Sequence, residues 1–444
     1  LAVAAYLTFA AEDREAGETV RGWLEAGLTG IAGGQAQTAT LTEATMQSIG
    51  AARSVVLLLS PAAQASEAVQ KEVLYALGNG RQVIPVLLAD LTGGGWMGLL
   101  LEGGAGIDAR RGLDQYALQG LLDAVAAAND AGRVIAMLNI KGGVGKTVLA
   151  ANLFAAAHML NDRSICFIDL DPQSNLTQYF LSTAERNRLR DSNKTLYSVF
   201  ATRGEATIAK EDFGKLAAPL NRPQSPRRPK LDLIAGDERL FEFTLDLGSQ
   251  RDREEAFARF HAMVAMLRKN YQAVVIDTNP CATFLTRCAV TAADHIVAPV
   301  RADKYSLAGL NLLEWVTRTI RQRAVRPGEF TVLLNAVGER NRLGEDSDAM
   351  TREQIANAPF FGAALLPVAV PFSTLLRSSP ADRYAANPIN TTAIMRFAQR
   401  SLKETLTDAA AAIFARADAL NAVEAPKPEP VPPPEHAPIV PQDA

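Results

Sequence analysis

Seven residues constrain this chain more than any other stretch: Lys141-Gly142-Gly143-Val144-Gly145-Lys146-Thr147. They follow an apolar run at residues 134–138 and precede a segment in which Leu149, Leu153, Ala156 and Leu160 recur at helical spacing. A strand, a glycine-rich turn and a helix, in that order, build a cradle for phosphate. The glycines let consecutive backbone N–H groups turn inward on the anion, and the helix that follows presents its positive end. Lys146 then neutralises β- and γ-phosphate charge, and the Thr147 hydroxyl is placed to coordinate magnesium. Gly142, Gly143, Val144, Gly145 and Val148 complete the set expected to touch a nucleotide. A tight turn without a ligand is the alternative, but the two lysines, the threonine and the strand-to-helix context argue against it.

The ordinary pattern GxxxxGK(S/T) wants glycine where Ile140 stands, and a second lysine, Lys141, lies five residues before Lys146. In this the loop resembles the deviant Walker A loop of the ParA and MinD family of ATPases. The resemblance implies ATP and Mg2+ as ligands, and a Lys141 that reaches across an ATP-bound homodimer to the partner's phosphates. Further segments follow in the family's order. Residues 165–175 read ICFIDLDPQSN, similar to its DxDPQxN stretch, which implies that Asp171 positions the attacking water and that Asp169 sits nearer the magnesium shell. Residues 273–277 read AVVID and look like a Walker B strand whose Asp277 holds magnesium through water. Residues 332–335 (VLLN) and 368–373 (VAVPFS) are similar to segments around the adenine, so Asn335 is expected on the base and Pro371 packed against it. A strand-end asparagine is also a common turn former. The likeness covers roughly residues 134–420. It departs at Val148, where a second threonine is usual, and at Thr278-Asn279-Pro280, where two prolines are more common.

A chain of 444 residues with 48% hydrophobic content has room for more than one core, and two domains are expected. Cys166, Cys281 and Cys288 show no paired metal spacing and suit a reducing cytosol, and the four histidines form no zinc-like cluster. No apolar run approaches the roughly 18 residues that span a bilayer, so a cytoplasmic protein without membrane insertion is expected. The first residue, Leu1, suggests a missing or non-standard start. The net charge of −3 hides an asymmetry, with 7 basic and 14 acidic residues over 1–130 against 37 and 30 over 131–421. Basic residues gather at Arg318, Arg321, Arg323 and Arg326 and again at Arg396, Arg400 and Lys403. Such clusters can bind non-specific DNA through its phosphates, or be no more than a solvated helix face.

Before the phosphate loop, apolar runs at residues 2–9, 54–60 and 82–88 alternate with helical patterns, which argues a small parallel-sheet domain. Tyr6-Leu7-Thr8-Phe9 with Glu12-Asp13, a Gly/Thr-rich loop over residues 27–40, Arg53-Ser54-Val55-Val56, Leu59-Ser60-Pro61 and GRQVIPVL at residues 80–87 resemble a TIR domain. In TIR domains that cleave NAD, a glutamate ends a pattern like SxWCxxE. The matching residue here is Glu72, while Ala68 and Val69 replace the aromatic and the cysteine. As a carboxylate beside an oxocarbenium-like centre Glu72 would act on the ribose; as a solvated helix residue it would belong to a protein-interaction module. The expected organisation is α/β in two domains. A flavodoxin-like TIR-like domain spans residues 1–128 and a short linker 129–133. A larger P-loop domain with a mostly parallel sheet spans 134–421, and a Pro-rich acidic tail of disordered composition follows at 422–444. Residues 221–230 (NRPQSPRRPK) read as a surface loop.

Three functions follow as expectations. One is an ATP-dependent dimerising switch for partition, positioning or signalling, whose TIR-like domain meets a protein partner. Another is a defence or signalling effector in which the TIR-like domain hydrolyses NAD and the ATPase half triggers assembly. A scaffold with neither DNA binding nor NAD cleavage is the third.

Overall fold

Runs such as SVVLLL at residues 54–59 are too short for helices and apolar at five consecutive positions, so both faces must be covered, as in a parallel sheet packed between helices. The computed structural model has two such sheets. It describes residues 3–38, 40–79, 81–91, 106–220, 229–245, 249–303, 305–338, 347–373, 376 and 400–419. The expected tail, Arg396 and most of the 221–230 loop lie outside these residues.

The first sheet consists of β1 (Ala5–Phe9), β2 (Ile31–Gln35), β3 (Ser54–Leu59), β4 (Gln82–Leu87) and β5 (Ile107–Asp108), in the order β2-β1-β3-β4-β5. Every pairing is parallel, the flavodoxin-like arrangement. Helices Arg14–Gly27 and Gln115–Asp130 cover one face, through Val20, Leu24, Leu121 and Val125. Helices Glu43–Ala51 and Glu67–Gly78 cover the other, through Ile49, Val69, Val73 and Ala76. Each fully buried Val or Leu of this kind contributes about 1.5–3 kcal/mol. β2 corrects the expectation of a loop over residues 27–40. Its sequence, IAGGQ, carries no alternation, yet Gly33 lies at φ +83° where a Cβ would meet the Leu7 carbonyl at 2.2 Å. Glycine lets this edge strand close on β1, at the cost of the pattern that advertises a strand.

The second sheet has eight strands: β6 (Arg133–Met137), β7 (Ile165–Asp169), β8 (Ala217–Pro219), β9 (Leu231–Ile234), β10 (Ala273–Asp277), β11 (His295–Arg301), β12 (Phe330–Val337) and β13 (Val370–Pro371). Their order is β13-β12-β11-β6-β10-β7-β9-β8, and only β8 runs antiparallel to its neighbour. β6, β7 and β10 are central, and their carboxyl ends bring the phosphate loop, Asp169 and Asp277 to one edge. Open parallel sheets bind ligands at that edge. Helices Gln250–Asn270, Phe284–Ala292 and Ser306–Arg321 pack on one face. On the other lies the phosphate-loop helix, Lys146–Asn161, with the helix Arg400–Ala419 against it, where Phe154 and Phe414 meet edge to face at 5.8 Å.

The boundary is tighter than the expected 129–133 linker. The helix Gln115–Asp130 runs on to Asp130 and β6 begins at Arg133, leaving residues 131–132 as the connection. The domains also touch elsewhere: the Tyr75 hydroxyl donates to the Arg321 carbonyl at 3.4 Å, and a Cβ at Gly50 would lie 2.8 Å from Arg323 Nε.

This contact overturns one expected DNA surface. Arg321, Arg323 and Arg326 all pair with Glu329, which is 2% exposed. Arg321 also donates to the Val290 and Ala293 carbonyls, and of the four arginines only Arg318 is exposed. Clustered charge in the sequence marked a buried ion cluster, because the carboxylate that gathers it arrives after the helix has ended. Lys403 is half-buried on a helix held by Leu402, Leu406, Ala410 and Ile413. Among the described residues, no helix is long and apolar enough to cross a membrane.

Candidate nucleotide site

Two asparagines shape the loop between β6 and its helix. Asn139 Nδ2 donates to the Pro299 carbonyl at 2.7 Å, while its Oδ1 accepts from the Lys141 N–H at 2.9 Å. From the far side, Asn335 Nδ2 donates to the Val144 carbonyl at 2.8 Å. Gly143 and Gly145 take φ of +73° and +96°, and a Cβ on Gly145 would sit 2.3 Å from Asn335 Nδ2. Only glycine satisfies both demands at position 145.

The first helical residue, Lys146, is 7% exposed, and its ammonium donates to the Asn139 carbonyl at 3.0 Å. Burial lowers its pKa, with Asp277 and Asp171 pulling the other way. Thr147 Oγ1 donates to Asp277 Oδ2 at 2.6 Å. Asp277 is fully buried, and its Oδ1 has no protein partner among the described residues. Burial, then the charge of Asp169, raises its pKa well above the carboxylate range. An orphaned carboxylate oxygen beside a threonine hydroxyl is a hard-oxygen pair that fits a magnesium ion.

Above these groups opens a cavity of about 600 Å³, large enough for a nucleotide. Gly142, Gly143, Gly145, Lys146, Thr147, Val148, Asp171, Asn335 and Pro371 line it, so nine of the expected residues, scattered over the second domain's sequence, share one wall system. Val144 buries its side chain and contributes its carbonyl to Asn335. Asn335, expected on the base, lines the cavity and commits its Nδ2 to the loop. Asp171, 5% exposed, accepts from the Gln173 N–H at 2.9 Å.

Asp169 is a correction. Its Oδ2 accepts from the Thr177 N–H at 2.7 Å and the Thr177 hydroxyl at 2.6 Å, and its Oδ1 from the Asp171 N–H at 3.3 Å. It is absent from the cavity wall and ties β7 to the helix Asn175–Phe180. Burial pushes its pKa up to about 7 against those hydrogen bonds. The resemblance implies a place for both carboxylates at the nucleotide. The turn that begins after Asp169 sends only Asp171 to the cavity.

Lys141 does not line the cavity either; its ammonium pairs with Asp303, both side chains being half-exposed. Sequence reading missed Asp303, Asn139 and Arg301, the last a cation on the cavity wall at the end of β11. An asparagine directly after the apolar run at residues 134–138 was the available signal for Asn139. In the other domain Glu72 is 6% exposed, which overturns its reading as a solvated helix residue. Its Oε2 has no partner among the described residues, and burial raises its pKa while the Thr8 and Tyr6 hydroxyls pull it down.

Residues 132–327 match the AAA domain family AAA_31, and residues 6–123 match the TIR domain family TIR_2. The chain is 30% identical over 255 residues to the chromosome partitioning protein ParA of Caulobacter vibrioides, covering 53% of this chain and 86% of that protein. The chain belongs to the ParA family. Its ParA half is a P-loop ATPase domain fused to a TIR domain. The sporulation initiation inhibitor protein Soj of Bacillus subtilis is 28% identical to it over 214 residues, 48% of this chain and 76% of Soj. A solved plasmid partition protein from Borrelia burgdorferi B31, bound to AMPPNP, overlaps 64% of this chain and 99% of its own at 17% identity and a TM-score of 0.46.

Proposed function

We propose that the ParA half is an ATP-dependent dimerising switch whose state governs what the TIR domain meets. The observation that carries the reading is the separation of the two lysines. Lys146 lies inside the cavity, whereas Lys141 stands outside it, half-exposed and held by Asp303 of the same chain. A cation so placed serves a second protomer better than its own site. In this reading Lys146 and the loop N–H groups take the phosphates, and Asp171 orients the attacking water. Thr147 and Asp277 would hold magnesium, which supplies charge neutralisation on the phosphates. Asp303 keeps Lys141 parked until a partner's phosphates compete for it.

Lys141→Ala tests the switch directly. ATP binding is expected to stay within about threefold of the parent, because the loop and Lys146 carry it, while the ATP-induced doubling of mass in light scattering disappears. A Lys141→Ala protein that still dimerises with ATP rules out the cross-site role.

The buried orphan oxygen of Glu72 favours a second reading, in which the TIR domain cleaves NAD. A buried carboxyl with one oxygen unpaired is costly and tends to be kept for chemistry. NAD consumption by the ATP-loaded protein, lost in Glu72→Ala, supports it; intact NAD in that sample removes it. Non-specific DNA would meet surfaces other than the Glu329 cluster, whose arginines are paired.

A further inference from the structure

Where the TIR domain meets the ATPase domain, five guanidiniums gather around Glu329 and Asp294, and Arg53 and Arg133 line the same cavity. Glu329 accepts from Arg321, Arg323 and Arg326. Asp294 Oδ2 already accepts from Arg268 at 2.7 Å and from the Val134 N–H at 2.9 Å. Arg81, reaching in from the TIR domain, donates only to the Asn79 and Ala52 carbonyls, at 3.0 and 3.3 Å, and has no carboxylate within ion-pair distance among the described residues. Arg323, whose side chain is 6% exposed, leaves its Nε buried without a partner. Burial pushes Arg81 and Arg321 down to about 10, whereas burial of Arg323 is outweighed by the charge of Glu329, which raises it. Between them lies a cavity of about 30 Å³, walled by Gly50 and Arg81 on one side and by Asp294, Arg323, Arg326 and Glu329 on the other.

We propose that this junction binds one small oxyanion of the phosphate type, clasped by Arg81 of the TIR domain and by Arg323 and Arg326 of the ATPase domain. Buried positive charge in excess of its carboxylates calls for a counter-ion. Guanidinium forks match oxyanion geometry better than they match water or chloride. Glu329 is shared by three arginines and Asp294 Oδ2 by Arg268 and the Val134 N–H, so cations outnumber carboxylates at the cavity. The space admits about two waters, which suits an inorganic ion and excludes a nucleotide. Because the walls belong to two domains, the ion binds only while they are docked, and its uptake favours docking.

Equilibrium dialysis of radiolabelled inorganic phosphate tests this, using the full chain carrying Lys146→Ala so that the phosphate loop does not take up the label. At fixed ionic strength, saturable uptake of one ion per chain is expected. Arg81→Gln should weaken it about tenfold, the worth of one charge-assisted hydrogen bond. Arg81→Lys, which keeps the charge but loses the fork, should fall between Arg81→Gln and the parent. If Arg81→Gln does not fold, Arg326→Gln reads the same effect from the opposite wall. Uptake no greater than that of a chloride-matched control, or equal affinity in parent and folded variants, overturns the proposal.

Discussion

Replacing Glu329 with glutamine is expected to destabilise the ATPase domain by about 3–5 kcal/mol, the cost of removing one partner from a buried ion pair. Glu329 is 2% exposed and is the one carboxylate that Arg321, Arg323 and Arg326 share. A neutral amide cannot offset three guanidiniums, and two of its positions would be N–H donors facing other donors. The shift is read from the urea midpoint of the domain's transition. Arg318→Gln is the comparison, since Arg318 is exposed and should move the midpoint by no more than about 0.5 kcal/mol. Acidity separates the two proteins further. Burial pushes the Glu329 carboxyl up, but Arg323 and Arg321 outweigh it and hold the group well below the usual carboxylate range. A folded-state pKa below the unfolded one gives stabilisation that is fully present above the unfolded value, 4.5, and is lost as pH falls through the folded value. The gap between parent and Glu329→Gln should therefore be constant from about pH 6 to 8 and close only in strong acid. A glutamine variant as stable as the parent would mean that the cluster's charge is balanced in some other way.

Asp171→Ala should slow ATP hydrolysis by about a hundredfold or more, the usual contribution of a group that orients or deprotonates an attacking water. ATP binding should change little. Asp171 lines the cavity but makes no hydrogen bond to the phosphate loop, whose own contacts run through Asn139, Asn335, Thr147 and Asp277. Phosphate release under saturating ATP, set beside binding of a fluorescent ATP analogue, separates the two effects. Unchanged release would move the water-positioning role elsewhere on the wall. A parallel loss of binding would make Asp171 part of the cradle instead.

The residues most legible in the sequence were those whose chemistry admits few substitutes. A phosphate cradle needs glycines at fixed offsets, one lysine and one hydroxyl, and Gly142 to Thr147 supply them in a row. Asp171 and Pro371 were reached through order along the chain, and the fold brings both to the same wall. What stayed hidden depended on distant partners. Asp303 is 162 residues from Lys141, and nothing local distinguishes it from any other acidic residue after a strand. The arginines at 321, 323 and 326 read as a basic surface because sequence displays charge without the burial that Glu329 imposes. β2 was lost because glycine, which its close approach to β1 requires, removes the side chains from which a strand is recognised.

Residues 131–132 are the whole connection between the TIR domain's last helix and β6, a span of about 7 Å at full extension. That leaves no slack. The last TIR helix is coupled to the foot of the strand whose tip carries the phosphate loop, so the two halves are geared rather than leashed. Any rotation of one domain against the other therefore has to turn the foot of β6 and break the Tyr75–Arg321 contact as well, at the end opposite the nucleotide.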